Sequence, residues 1–82
     1  MIVYVIHVED LHDKTKYVIG VAHTISSVDR MINEYYGPHD VVSFNDIRDS
    51  DIEFVKIIKL HLDPLIVINV KITVQTFELN KL

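Results

Sequence analysis

The chain has 82 residues, enough for one domain (1–82) around one core, and at this size the buried fraction of its surface and its stability are modest. It holds no cysteine, which excludes disulfides, thiolate metal sites and cysteine nucleophiles and favours the cytoplasm over a secreted setting. Its 12 acidic and 8 basic residues leave a formal charge of −4 with the bases scattered, which disfavours nucleic acid, and no apolar run reaches the roughly 18 residues of a membrane helix.

Apolar residues make up 49% of the chain, and isoleucine and valine dominate them with 12 each. Branched side chains suit a pleated surface, so the composition reads as rich in β-structure. Phe, Tyr, Met, Ile, Asn and Lys far outnumber Ala, Gly, Arg and Pro. That bias points to an AT-rich gene, such as one from a low-GC Gram-positive bacterium or its phage.

Residues 2–8 (IVYVIHV) form a first expected strand. Ile2, Tyr4, Ile6 and Val8 face one way and Val3, Val5 and His7 the other, both faces being apolar as in a covered central strand. Without a basic segment before it or a small-residue cleavage site after it, this run is not expected to be a signal peptide. The polar stretch 9–15 (EDLHDKT) reads as a hairpin loop. A second strand follows over 16–23, with Tyr17, Ile19 and Val21 on one face and the small Gly20 and Ala22 on the other, where a helix can approach closely.

Residues 24–36 predict the helix. Thr24 or Ser26 can cap its N-terminus. Val28, Met31, Ile32 and Tyr35 form one apolar stripe, and Gly37-Pro38 ends it. Within the irregular stretch 38–51, Val41–Phe44 has the composition of a short strand. A third main strand covers 52–62, Asp63-Pro64 is a turn, and a fourth strand covers 65–79 with Ile66, Ile68, Val70, Ile72 and Val74 in alternation. After Gln75 the apolar phase moves to Phe77 and Leu79, which predicts a β-bulge there. The expected fold is therefore a two-layer α+β domain: a mostly antiparallel four-stranded sheet in the order β-β-α-β-β, with one helix on one face. One helix covers about 10 Å of sheet width, so apolar strand surface is left over. Val3, Val5, Tyr17, Ile19 and Val21 are its expected members, and a homodimer or larger assembly is the expected way of covering them.

Of the five histidines, His7 and His12 lie with Glu9 and Asp13 in a short span. Alternation puts His7 and Glu9 on one strand face, so a two-histidine, one-carboxylate metal site is a candidate, although the spacing fits no compact metal motif. No serine sits in a nucleophile elbow or an S-x-x-K motif, and two glycines cannot build a phosphate cradle. The carboxylates Asp46, Asp49, Asp51 and Glu53 lack the spacing of a calcium loop and read as solvated, or as an acidic docking face for a basic partner. Tyr36, at the helix end, is an aromatic anchor free to face outward. No cofactor is expected. The leading reading is a non-enzymatic binding or regulatory protein acting through protein contacts as a homodimer. The alternatives are an acidic, phage-type inhibitor of a host protein, and a small metal-dependent enzyme built on His7, Glu9 and His12.

Overall fold

The computed structural model describes residues 1–48 and 51–79. Its elements are β1 (Ile2–Asp10), β2 (Lys16–Ala22), α1 (Ile25–Tyr36), β3 (Asp40–Asp46), β4 (Ile52–Asp63) and β5 (Ile66–Glu78). The strands form one antiparallel sheet in the order β2-β1-β5-β4-β3. The sheet thus has five strands and not four, and the domain is mostly β with a single helix among the described residues. The extra strand is β3, which turns the whole of Asp40–Asp46 into an edge of the sheet.

Alternation along β1 and β5 sorts the core. In the register Ile6 stands opposite Val74 and Val8 opposite Ile72, and all four are buried. Phe54, Ile58 and Leu60 of β4 join them, with Val28 and Ile32 of α1 and Ala22 of β2. At roughly 1.5–3 kcal/mol for each large aliphatic side chain removed from water, this cluster is the main term holding the chain folded. The helix forms where its stripe and caps predict it. The Thr24 hydroxyl accepts the Ser27 amide at 3.1 Å, and Gly37, at φ 70°, donates its amide to the Asn33 carbonyl at 2.8 Å. Gly20 admits the helix closely, since a Cβ placed there would stand 3.3 Å from the Met31 sulfur.

The ladders carry register shifts in β2, β3 and β4, and two details of the strand faces differ from what alternation predicts. An extra residue in β2 shifts its register against β1 between Ile6 and His7. Tyr17 therefore pairs with Val8 and joins the helix side, where its ring meets that of Tyr35 at 6.3 Å, instead of sharing a face with Val21. The second concerns the end of β5. The β1–β5 ladder runs unbroken from Ile2–Glu78 to Asp10–Val70, so the expected bulge after Gln75 is absent and Phe77 simply faces the other side. The irregularity lies across from it, in β4 at Glu53.

The helix packs chiefly on β2 and β1. The far half of the sheet on that side, and the whole opposite side, have no second layer among the described residues. The molecule is long, 51 × 21 × 21 Å, with a radius of gyration of 13.4 Å. A compact domain of this length would have a radius near 12 Å.

Candidate functional site

On the side of the sheet away from the helix, three rows cross from β2 through β1 to β5. Val21, Val5 and Gln75 make one row, Val18, His7 and Thr73 the next, and Lys16, Glu9 and Lys71 the third. The last two rows with Gln75 line a shallow concavity of about 490 Å³. Within it the Nε2 atom of His7 is buried and has no hydrogen-bond partner. His7 and Glu9 do share this face, as their spacing requires.

His12 and Asp13 stay apart from them, in the exposed β1–β2 turn. The carboxylates there serve the turn. That of Asp10 accepts the His12 amide at 2.8 Å, and that of Asp13 accepts the Thr15 amide at 2.9 Å and the Thr15 hydroxyl at 2.6 Å. The hydroxyl bond holds the Asp13 carboxyl below the usual carboxylate range. Lys14, at φ 67°, takes the left-handed position that closes the loop. Among the described residues no group of three or more His, Asp or Glu side chains is placed to hold a metal ion.

The second carboxylate cluster is spread out. Asp46 pairs with Arg48 at 3.0 Å and is thereby neutralised. Asp49 lies outside the described residues. Asp51 and Glu53 join Glu78 along a shallow concavity that Ile2, Tyr4 and Phe77 also line.

The side chains expected to be left uncovered divide. Tyr17 and Val21 are exposed, whereas Val5 and Ile19 are half-buried and Val3, only 5% exposed, is part of the interior. The two tyrosines at the helix end exchange roles. Tyr35 is 55% exposed, and Tyr36 turns inward against the core with its hydroxyl buried and unpartnered. Tyr17 lies near that hydroxyl but out of hydrogen-bonding geometry. Burial pushes the Tyr36 phenol well above its usual pKa, and the neighbouring phenols of Tyr17 and Tyr35 add to the effect. A helical phase error of one residue underlies the exchange: position 36, four residues past Ile32, falls on the buried stripe.

Further uncovered apolar surface lies elsewhere. Pairing of β3 with β4 reaches no farther than Lys59, and pairing of β1 with β5 no farther than Val70. Beyond those points β4 and β5 continue as a two-stranded arm whose tip exposes Leu62, Ile66 and Leu65, the last at 92%. Beside it the edge strand β3 exposes Val41, Val42 and Phe44. The signal for the arm is present in residues 60–68 (LHLDPLIVI), where apolar residues run right up to both sides of an Asp-Pro turn with no polar spacer to solvate them. No family model, no curated protein and no solved structure matches this chain.

Proposed function

We propose that the chain is a non-enzymatic binding module of the cytoplasm that works through protein contacts and associates with itself. The observation that carries this reading is an excess of surface. A monomer of 9.5 kDa is expected to expose about 5,000 Å², whereas this chain exposes 5712 Å². The excess, roughly 700 Å², is close to the 800 Å² or so that each partner contributes to a standard protein interface. Exposed apolar side chains stand at the arm and at β3, and monomers seldom leave such surface in water.

The catalytic alternative has less to stand on, because Asp10 and Asp13 are engaged in their own turn and His12 is apart from His7. The acidic-inhibitor alternative is weakened by the Arg48 that neutralises Asp46. No described helix is long and apolar enough to cross a membrane. The cytoplasmic setting rests on the absence of cysteine.

Sedimentation velocity over a range of protein concentrations tests the reading. Two or more chains per particle at tens of micromolar is the expected result. A strict monomer at several hundred micromolar overturns it.

A further inference from the structure

Resting on that reading of self-association, we infer that the surface used is the helix-side strip of the sheet that α1 leaves bare, and that its occupant is the same strip of a second copy. The strip comprises Val41 and Phe44 of β3 and Ile66 of β5, bordered by Lys56 and Asp46. Register places all of these on the side that carries the core. Val41 stands opposite buried Ile58, Phe44 opposite Lys56, Asp46 opposite buried Phe54, and Ile66 has the parity of Val70, Ile72 and Val74. The Phe44 ring lies on that of Phe54 at a centroid distance of 5.2 Å, so the exposed strip continues the buried core past the edge of its lid. A second lid is what the geometry lacks.

Three observations select a second copy as that lid. The surface that the whole chain exposes beyond that of a compact monomer, of which this strip is a part, is of the order of one partner's share of a dimer interface. The border carries no strong field, since Asp46 is tied to Arg48 and the remaining charge, the Lys56 ammonium, is held over Phe54 at 5.9 Å. Such a border suits a self-complementary two-fold contact and offers no single-sign field for a strongly charged partner. Lateral growth of the sheet is disfavoured, because each edge strand carries a register shift, in β2 opposite Ile6 and His7 and in β3 at Val42. Bulges at edges obstruct strand addition, which leaves a face, not an edge, for association.

The test compares three proteins by sedimentation, with far-UV circular dichroism to establish that each is folded. The wild type is expected as a dimer. Val41→Lys with Phe44→Glu, both at positions already half exposed, is expected to halve the sedimenting mass while keeping the spectrum. Val21→Lys, equally exposed but on the other side of the sheet, is expected to leave the dimer intact. If the double variant loses its fold, the cysteine-free chain permits a second measurement. A nitroxide on Lys56→Cys should give a shorter distance between copies than one on Val21→Cys. A folded double variant that remains a dimer, dissociation caused by Val21→Lys instead, or the reverse order of label distances overturns the inference while leaving self-association standing. A monomeric wild type removes both.

Discussion

Tyr36 shows how a single polar atom can work against the fold that holds it. Its ring fills space against the core cluster, yet its hydroxyl reaches a buried position where nothing accepts or donates a hydrogen bond. An unsatisfied buried hydroxyl costs on the order of 1–3 kcal/mol. Tyr36→Phe keeps the ring and removes the orphan, so the variant should be more stable by about 1 kcal/mol in urea unfolding near neutral pH. The same residue sets a pH dependence. Its folded pKa is raised, by burial first, while in the unfolded chain the phenol ionises near 10. The unfolded state therefore releases the proton first. Stability is retained below about pH 10 and lost as pH rises through the raised folded value. Tyr36→Phe should show a shallower alkaline loss than the wild type when the urea midpoint is followed across that range. An unchanged alkaline slope would mean that Tyr36 is solvated in the folded chain. His7, whose Nε2 atom is the other buried orphan among the described residues, lies on the side of the sheet away from the helix.

At the scale of elements, what could be read from the residues was what depends on local chemistry. The helix over Ile25–Tyr36 follows from a hydroxyl at Thr24, an apolar stripe and Gly37, and each of these acts within one or two turns. The long strands follow from β-branched alternation, and Gly20 does admit the helix. What stayed hidden depends on pairing. β3 has only Val41, Val42 and Phe44 as its apolar residues, and the extra residue at Val42 breaks their alternation, so the residues suggest no more than a short strand over Val41–Phe44, and its full extent and its place in the sheet come from pairing with β4. The bulge in β2 moves Tyr17 to the helix side; Gly20, beside the extra residue Ile19, is the feature of KYVIGVA that marks it, but only the pairing with β1 shows which side chains change face. The Glu53 irregularity is likewise a property of the β4–β5 pair and not of either strand alone. The candidate site divides along the same line. His7 and Glu9 share a face because strand alternation is local, while His12 and Asp13 fall away because the turn spends its carboxylates on its own backbone. The cap offers a direct check on the locally encoded part. Thr24→Ala removes the acceptor of the Ser27 amide and should cost about 1 kcal/mol, measured by urea unfolding with an unchanged slope. A loss far below that would mean that packing on β2 and β1 holds the first turn without its cap.

At the scale of the molecule, shape and composition make the same demand. A chain that is 49% apolar has more oily surface than one 12-residue helix can shield. The helix is laid on β2 and β1, and the other end of the sheet runs out into a hairpin arm with Leu65 at its tip. Were the bare surface truly solvated, folding would be unimolecular and the melting temperature independent of concentration. If two copies close over it, unfolding releases two chains from one particle, and mass action stabilises the folded state by RT ln 10, about 1.4 kcal/mol per dimer, for each tenfold rise in concentration. Shared between two chains of this size, that corresponds to a rise in Tm of roughly 3–6 °C per tenfold. Scanning calorimetry from ten micromolar to one millimolar should show this climb for the wild type. A folded Val41→Lys, Phe44→Glu variant should lie on a flat line at or below the lowest wild-type value. A flat line for the wild type would instead mean that the long sheet tolerates its exposed isoleucines and valines unaided, and the elongated shape would then need a cause other than partnership.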